Sequence, residues 1–370
     1  MRIVHISDTH LGFGAYSRLD PEEGVNQREI DFYKAFEQAV DKTIKLKPDL
    51  VVHAGDLFDA VRPQNRAIDF ALRQLIRLSE SGAETVLISG NHSTPKLRET
   101  GNIFRIFEHL DHVHPIHEGG ATPLTFGDTT VTAIPHSSNP PMAEILRGSK
   151  PSRTTRYNIL LLHAGVTGAQ TYKTDEFNEQ TVPLESLSDG WDYVALGHFH
   201  QFNKIASKVC YSGSTERLGF GEAGQKKGII ELDLERQNTT FHELKIRDMD
   251  DLEGIDASGF ASSEIVNAAR DKVSALKIDD KIVRLVVRNV SSEAYRSLDV
   301  PAIRRFGSAA LHFELKIERL DAEGNKTSED SHIGVLADEF SRYVSGLSMS
   351  AEKKTALIRL GMPYLTREQE

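Results

Sequence analysis

The sequence predicts an α/β fold whose strands end in polar side chains, and two observations lead to this prediction. Apolar stretches alternate with amphipathic helices over the first 110 residues, a pattern typical of parallel strands joined by right-handed crossovers. Five apolar stretches run directly into Asp, His or Asn, at residues 3–7, 50–54, 85–89, 159–162 and 193–196. Because open α/β sheets bind ligands at the carboxyl ends of their strands, we expect these polar residues to converge.

The helices and further strands of the first part of the chain follow in order. Apolar residues recur at helical spacing over residues 28–46, and Pro48 ends that helix. A second helix is predicted over residues 63–81, ended by Gly82, and a third over residues 96–110. Beyond them we expect a strand at 129–134, a loop at 135–152, an irregular polar stretch at 164–189 and a strand at 228–234. Together these elements predict a first domain over residues 1–234.

A change of pattern predicts a separate, small α+β domain over residues 241–320. It combines helices at 263–276 and 292–306 with strands at 281–288 and 311–318. In the last strand apolar and polar residues alternate strictly, as in a sheet with one packed face and one solvated face.

The end of the chain predicts a linker and a helical tail. Residues 321–332 have linker composition. Residues 333–370 contain two short amphipathic helices, which cannot bury their apolar faces alone. We expect this pair to dock either on this protein or on a partner.

Composition limits the classes of protein and of metal site. The 370 residues, 39% of them hydrophobic, suffice for two or three folded domains. We expect a soluble, cytoplasmic protein without membrane contact, because no signal-peptide pattern or membrane-spanning stretch occurs. The single cysteine, Cys210, excludes an internal disulfide framework and a thiolate metal cage. The net charge of -10 argues against bulk coating of nucleic acid but permits local DNA contact.

Seven residues at the strand ends have the side chains of a metal centre: Asp8, His10, Asp56, Asn91, His163, His198 and His200. Their mixture of oxygen and nitrogen donors suits manganese, iron or zinc better than calcium or an isolated magnesium ion. Seven ligands are too many for one tetrahedral zinc, but they suit two metals that share a carboxylate. The sequence therefore predicts hydrolysis of a phosphoester.

The other histidines are given different roles. His92 follows Asn91 on a turn that directs its side chain toward a substrate, where it would act as a general acid or stabilise the leaving oxygen. His5 and His53 lie inside strand stretches and are predicted to be structural, and His136 is left unassigned. A solvated helix terminus would account for the remaining cluster, at His109, His112, His114 and His117.

Five short motifs occur across residues 1–234 in the order found in the calcineurin-like metallophosphoesterase superfamily. They are Asp8-x-His10, Gly55-Asp56, Gly90-Asn91-His92, a single His163 and Gly197-His198-x-His200. The chain resembles more narrowly the SbcD-type DNA double-strand-break repair nucleases. Three stretches carry this resemblance, at residues 6–12, 54–59 and 212–217 (Ser-Gly-Ser-Thr-Glu-Arg). The superfamily's phosphatases and cyclic-nucleotide esterases generally lack the third, here called the 212–217 segment.

The resemblance implies a metallophosphoesterase α/β sandwich with two Mn²⁺ ions, or other divalent metals in their place. By matching position, one metal would bind Asp8, His10, Asp56 and His200. The other would bind Asp56, Asn91, His163 and His198. Asp56 would bridge the two metals, and His92 would assist the leaving group.

The resemblance also implies partners and activities. A small capping, DNA-binding domain would follow the nuclease domain, and a C-terminal helix pair would bind an SMC-like coiled-coil ATPase of the SbcC type. Helices near residues 63–81 and 96–110 would form a homodimer. The implied activities are manganese-dependent exonuclease on duplex ends and endonuclease on single strands or hairpins.

Two positions depart from the family's pattern. Ser93 stands where the family usually has Asp after Asn-His, and Asp59 stands where many relatives carry His. Neither is a metal ligand in the family, so these departures concern the support of His92 and the handling of DNA ends. Separately, the basic cluster at Lys150, Arg153 and Arg156 is either a solvated loop or a DNA contact.

Three functions are compatible with these patterns. The first is the nuclease subunit of an ATP-dependent DNA-processing complex in double-strand-break repair. The second is a stand-alone phosphodiesterase or phosphatase for small substrates, and the third is a scaffold subunit that binds DNA ends without cutting them. The 212–217 segment and the additional domains favour the first over the second. The complete ligand set and His92 count against the third, because a degenerate subunit would be expected to lose some of them.

Overall fold

The computed structural model describes residues 1–95, 101–168, 179–188, 190–320, 326–328, 344, 353–355 and 357. These residues divide into two compact units. The first unit holds residues 1–251, 278–283 and 309–312. The second unit holds residues 252–277, 284–308 and those described after residue 312. The first unit thus extends beyond residue 234, where the sequence pattern places the end of the first domain.

Two six-stranded sheets form the framework of the first unit. Strands β1 to β7 are Arg2–Ile6, Leu50–His53, Glu84–Ile88, Val113–Ile116, Thr122–Phe126, Thr129–Ile134 and Tyr157–His163. Strands β8 to β14 are Gly165–Thr167, Thr181–Pro183, Tyr193–Gly197, Asn203–Ala206, Val209–Tyr211, Gly228–Asp233 and Asn238–Glu243. The first sheet has the order β14-β13-β1-β2-β3-β4, and the second has the order β11-β12-β10-β7-β6-β5. Because β14 pairs with β13, the first unit continues past residue 234.

The strands that precede the polar motifs pair in parallel within each sheet. In the first sheet β1, β2 and β3 are parallel neighbours. In the second sheet β10 is parallel to β7, with Gly197 opposite His163. The carboxyl ends of neighbouring strands therefore lie at the same edge of each sheet. The predicted α/β fold is confirmed.

Apolar cores cover both faces of the first sheet. On one face Phe36 packs in the same cluster as Val51. On the other face Val52 packs with Ile159 and Ala195 of the second sheet. Successive strand residues point to opposite faces, so Val51 and Val52 enter different cores. Burial on both faces explains why these strands are continuous apolar runs rather than alternating ones.

Helices α1 to α3 are Gln27–Leu46, Asn65–Glu80 and Met142–Gly148. The predicted helices over residues 28–46 and 63–81 correspond to α1 and α2. The side chain of Asn26 caps α1 by accepting a hydrogen bond from the backbone N–H of Arg28, and Lys47 ends it in a left-handed conformation. Short 3-10 helices cover Ile103–His109, Leu184–Leu187 and Phe220–Glu222.

Three predictions for the first unit are wrong in part. The stretch expected to be irregular over residues 164–189 contains β8, β9 and the 3-10 helix Leu184–Leu187, and residues 169–178 and 189 lie outside the described residues. The third helix, expected over residues 96–110, is a 3-10 helix from Ile103, and residues 96–100 lie outside the described residues. Its buried side chains, Phe104 and Phe107, are three residues apart, which is the period of a 3-10 helix. The loop expected over residues 135–152 contains α3. Pro141 immediately precedes α3, and prolines near a helix start do not prevent the helix from forming.

The remaining strands, β15 to β19, are Met249–Asp251, Ile255–Asp256, Ile282–Val290, His312–Leu320 and Lys326–Ser328, and helices α4 to α6 are Ser262–Ser274, Ser292–Arg296 and Val300–Phe306. In the second unit β16 is parallel to β17. The single helix expected over residues 292–306 is two helices, because the Asp299 side chain caps α6 and Pro301 occupies its first turn. The expected alternation in β18 does not produce two distinct faces, since most of its residues are half-buried.

The predicted linker and tail are described only in small part. β19 falls inside the linker expected over residues 321–332 and pairs antiparallel with β18, so that part of the linker is strand. The other linker residues lie outside the described residues. So does the tail expected over residues 333–370, apart from residues 344, 353–355 and 357. In the described ranges, no helix combines the length and the apolar character needed to cross a membrane.

Candidate metal centre

The seven predicted ligands follow five strands of the two sheets. Asp8 and His10 follow β1, Asp56 follows β2, Asn91 follows β3, His163 ends β7, and His198 and His200 follow β10. Each β-strand therefore supplies its ligands from its carboxyl end. Most of these side chains are buried, and the carboxylates of Asp8 and Asp56 are completely so.

Distances between ligand atoms show how closely the two sheets bring these residues together. His10 Nε2 lies 3.2 Å from His200 Nε2. His163 Nε2 lies 2.8 Å from Asn91 Oδ1 and 3.1 Å from Asp56 Oδ2. The ligand atoms of Asp8, His10 and His200 lie within 4.8 Å of one another, and so do those of Asp8, Asp56 and His163. The two groups overlap at Asp8.

His198 joins this arrangement through its backbone and its ring. Its backbone N–H donates to Asp8 Oδ1 over 3.0 Å. Its ring centroid lies 5.4 Å from that of His163. The structure thus brings all seven predicted ligands together at one place in the first unit.

Four of these residues adopt a left-handed backbone. The φ angles are 51° at Asp8, 42° at His10, 49° at Asp56 and 99° at His198. Residues other than glycine rarely have positive φ, and such strain is concentrated at functional sites. Backbone hydrogen bonds hold the strained turns together, from the N–H of Asp8 to the carbonyl of Gly55 and from the N–H of His10 to the carbonyl of Asp56, each 3.0 Å.

Two motif glycines are required by close packing at the centre. A Cβ at Gly90 would overlap the carboxylate and backbone nitrogen of Asp56. A Cβ at Gly197 would overlap the carbonyl oxygen of Ala54. The absence of a side chain at Gly90 and Gly197 therefore lets the ends of β3 and β10 approach the residues that follow β2, including Asp56.

Substitution of Gly90 by Ala is expected to destabilise the protein and to displace Asp56. Inserting a methyl group into such a packed site costs about 1–3 kcal/mol. The melting temperature and the metal affinity of the variant should both fall. Gly148→Ala is the matched control, because a Cβ at Gly148 meets no atom within 4 Å. Equal melting temperatures for the two variants would contradict this account of Gly90.

Opposite charges determine the protonation states at the centre. Burial opposes ionisation of Asp56, but His163 and His10 hold the pKa of its carboxyl well below the ordinary value. Burial likewise opposes protonation of His163, but Asp56 raises the pKa of His163 to about 9. Burial and then the charge of His163 lower the pKa of His198 to about 3. The His163 imidazolium is thus the counter-ion of the buried Asp56 carboxylate, and a metal bound by both residues would replace this charge and release the His163 proton.

The donor set fits divalent metal ions. Asp56 Oδ2 is buried and makes no hydrogen bond of ordinary geometry with the described residues. The two ring nitrogens of His10 and His200 face each other at hydrogen-bond distance, and a cation between them would use both lone pairs. Carboxylate, imidazole and amide ligands in two overlapping groups match the requirements of manganese, iron or zinc pairs.

His92 lies beside the ligands. Its backbone N–H donates to Asp56 Oδ1 over 3.0 Å, and its ring centroid is 4.9 Å from that of His10. Its Nδ1–H donates to the backbone carbonyl oxygen of Asp59 over 2.9 Å. In the neutral ring, Nε2 is then the acceptor nitrogen.

The two departures from the family's pattern have different surroundings. Asp59 Oδ1 lies 3.2 Å from His10 Nδ1, so this carboxylate supports a predicted ligand. Ser93 is buried, and its Oγ makes no hydrogen bond with the described residues. Support of the His92 ring therefore comes from the Asp59 carbonyl oxygen.

The 212–217 segment supports two predicted ligands by hydrogen bonds, Asp8 through Ser7 and His200 directly. Ser7 Oγ lies 2.5 Å from Asp8 Oδ2 and 2.7 Å from Ser212 Oγ. The backbone N–H of Ser214 donates to the carbonyl oxygen of His200 over 3.0 Å. The sequence singles out this segment only by resemblance, and these contacts give a physical reason for its presence beside the histidine motif.

Glu222 is a residue that sequence reasoning missed. Its Oε1 accepts from His200 Nδ1 over 2.8 Å, and its Oε2 accepts from Lys227 Nζ over 2.6 Å. Glu222 lies on a 3-10 helix within a Gly-rich turn and carries no recognisable motif. Only the folded turn brings it to the histidine.

The other histidines and the basic cluster are not among the predicted ligands. His5 and His53 are buried and contact Tyr193 and Thr9, consistent with structural roles. Three of the four histidines expected at a solvated helix terminus instead donate hydrogen bonds to carboxylates, His112 and His114 to Glu84 and His117 to Glu108. His114 lies in β4.

His136 is buried, and its backbone N–H donates to the carbonyl oxygen of Ser89. Lys150, Arg153 and Arg156 are exposed, and the guanidinium of Arg156 lies 4.8 Å from the ring centroid of Tyr157. Both interpretations of the basic cluster stay open.

Comparison with known proteins adds a family match. The family described as calcineurin-like phosphoesterase matches residues 1–202. Relatives named DNA double-strand break repair protein Mre11 include that of Sulfurisphaera tokodaii, 35% identical over 54% of this chain and 49% of the relative. Those of Methanococcus maripaludis and Thermoplasma acidophilum are 29% and 24% identical over 61% and 75% of this chain, and 60% and 73% of the relatives. The chain thus spans about half to three fifths of the first two relatives.

Proposed function

Because the chain belongs to the calcineurin-like phosphoesterase family, we propose that it cleaves the phosphodiester bonds of DNA at a two-metal centre. The observation that carries this proposal is the pair of overlapping ligand groups, Asp8 with His10 and His200, and Asp8 with Asp56 and His163. One such group would hold one cation. Two groups that share a carboxylate match a binuclear site. Asp8 belongs to both groups, and we take Asp56 as the bridge from its matching position in the family's motifs.

We assign the ligands of the two metals as follows. One metal would be held by Asp8, His10, Asp56 and His200, and the other by Asp56, Asn91, His163 and His198. When bound, the metals supply an activated water and positive charge beside the phosphate. Manganese is the proposed ion. The mixture of carboxylate, imidazole and amide donors supports this choice over calcium.

His92 is assigned the proton transfer to the leaving oxygen. The Asp59 carbonyl oxygen holds its Nδ1–H, which fixes the orientation of the ring. As a general acid the ring would be the imidazolium: Nε2 would give its proton to the leaving oxygen, and the neutral ring with its Nδ1–H would remain. The hydrogen bond from the His92 backbone N–H to Asp56 holds this turn beside the proposed ligands. The separation between His92 Nε2 and a phosphate bound at the metals would therefore stay constant.

The names of the relatives support DNA as the substrate and double-strand-break repair as the process. We propose exonuclease activity on duplex ends and endonuclease activity on single strands or hairpins. Residues 241–320 would act as a DNA-binding capping domain, and residues 333–370 would bind an SMC-like ATPase of the SbcC type. A homodimer in the cytoplasm completes the proposal.

Cleavage of end-labelled linear duplex DNA with added manganese tests this function. A chromogenic phosphodiester and a chromogenic monoester are assayed in parallel. Manganese-dependent shortening of the DNA is the expected result. Hydrolysis of the small esters with intact DNA, in the presence of the ATPase partner, would instead support a small-molecule phosphodiesterase. Binding of DNA ends without any hydrolysis would support a scaffold subunit.

Asp59→Ala is expected to lower the cleavage rate at limiting manganese. The variant loses the carboxylate beside His10 Nδ1 but keeps the backbone carbonyl that holds His92. Loss of such an outer partner typically costs about 10- to 100-fold in metal affinity or activity. Rates measured against manganese concentration should recover in part at high manganese. Asp69→Ala, which removes a carboxylate exposed on α2, should match the wild type at every concentration.

A further inference from the structure

A mostly buried carboxylate, Glu222, and a completely buried ammonium, Lys227, lie beside His200, one of the proposed ligands. Glu222 Oε1 accepts from His200 Nδ1 over 2.8 Å, while Glu222 Oε2 accepts from Lys227 Nζ over 2.6 Å and from the backbone N–H of Leu218 over 3.2 Å. The Lys227 side chain has no exposed surface. Both oxygens of the Glu222 carboxylate therefore have partners: Oε1 accepts from His200, and Oε2 accepts from Lys227 and Leu218.

The contact determines which nitrogen of His200 can bind a metal. An ionised carboxylate only accepts hydrogen bonds, so Nδ1 must carry the ring hydrogen in the neutral imidazole. Nε2 then presents its lone pair, and it lies 3.2 Å from His10 Nε2. The side chain of His200 is thus oriented with its basic nitrogen toward the other proposed ligand.

Lys227 contacts the backbone of His200 directly and the ring of His200 through Glu222. Its Nζ donates to the carbonyl oxygen of His200 over 2.7 Å as well as to the Glu222 carboxylate. Buried ion pairs contribute little net stability, because desolvation offsets their attraction. A role in stability alone therefore accounts poorly for a pair that contacts His200 at its ring and at its backbone.

We propose that Glu222 and Lys227 are positioning residues that fix the tautomer and orientation of His200 for metal binding. The inference rests on the proposed function, because it takes His200 as a metal ligand. Glu222 acts on the ring, and Lys227 sets the charge and orientation of Glu222. The metal held by His10 and His200 depends on this pair, and the other metal does not.

The Glu222→Gln substitution makes a sharp prediction. The amide introduced by this substitution would turn its oxygen toward the Lys227 ammonium, so its NH₂ group would face His200 Nδ1. Nδ1 would become the acceptor, and the hydrogen would move to Nε2, where it blocks the metal. In the double variant Glu222→Gln with Lys227→Met, only the longer bond from the Leu218 N–H still holds the amide oxygen in that orientation. Metal binding can then reverse the amide, and its oxygen again accepts from Nδ1.

Calorimetric titration of the metal-free full chain with Mn²⁺ tests the inference, together with the melting temperature of each metal-free variant. We expect two Mn²⁺ sites in the wild type. In Glu222→Gln, we expect the Mn²⁺ affinity of one site only to fall by about 10- to 100-fold. The double variant should regain part of that loss of affinity, since the Leu218 N–H still opposes reversal of the amide. Glu231→Gln is the control, because Glu231 makes the same carboxylate–histidine contact with His242 over 2.8 Å, on β13 and β14.

The outcomes separate this inference from the proposed function. A wild type that binds no Mn²⁺ would overturn the proposed function itself. A wild type with two sites and a Glu222→Gln variant with unchanged affinities would overturn only the inference. Equal weakening of both sites with a lowered melting temperature, and no recovery in the double variant, would show a purely structural role and would also overturn it.

Discussion

Replacement of Asp56 by Asn is expected to reduce DNA cleavage by roughly a thousandfold or more and to remove at least one metal from the protein. Asp56 is completely buried, and neighbouring histidines hold the pKa of its carboxyl well below the ordinary value. An amide is nearly isosteric but carries no charge, so the centre would lose the proposed bridge between two cations. Metal content by elemental analysis and initial cleavage rates measure the two effects.

Asp69→Asn provides the control for Asp56→Asn. Asp69 is an exposed carboxylate on α2 that pairs with Arg73, so the same change of chemistry there should leave metal content and cleavage unaltered. The backbone turn at Asp56 should persist in Asp56→Asn, since Asn also tolerates a left-handed conformation. A folded Asp56→Asn variant with wild-type metal content and rate would refute the bridging role.

His92→Ala is expected to slow DNA cleavage by about 10²- to 10⁴-fold, the usual contribution of a general acid or base. Metal binding should persist, because the His92 side chain contacts the Asp59 carbonyl oxygen and only its backbone N–H contacts Asp56. Single-turnover cleavage at saturating manganese measures the chemical step. Calorimetric titration with Mn²⁺ measures the binding.

The matched control for His92→Ala is His112→Ala. His112 is half-exposed and pairs with Glu84 at the edge of the first sheet, away from the ligands. Its removal should leave the rate unchanged. An unchanged rate in His92→Ala would eliminate the proton-transfer role, while a loss of metal in that variant would make His92 a determinant of the centre rather than of the chemical step.

The parts of the fold that repeat a simple pattern could be predicted from sequence. Buried parallel strands are continuous apolar runs, and their carboxyl ends meet, so the convergence of Asp8 and Asp56 within the first sheet follows from topology. His163 joins them because the second sheet packs against the first. Elements whose formation depends on local capping were missed. The 3-10 helix at Ile103–His109 and helix α3 are examples, because a cap or a proline sets their limits more than periodicity does.

The outer part of the site could not be predicted from spacing. Ser7 and Ser212 are 205 positions apart, and Glu222 reaches His200 only through the folded Gly-rich turn. Nothing in the local sequence marks a carboxylate that supports a ligand as different from one on the surface. Asp59 shows the same limit, since its departure from the family pattern did not reveal its contact with His10.

The most direct test of the two-metal centre is an anomalous difference map from crystals grown with Mn²⁺. We predict two peaks about 3.5–4 Å apart, one beside His10 and His200 and the other beside Asn91 and His163, with the Asp56 carboxylate between them. A single peak at full occupancy under saturating Mn²⁺, or two peaks without a shared carboxylate, would contradict the account.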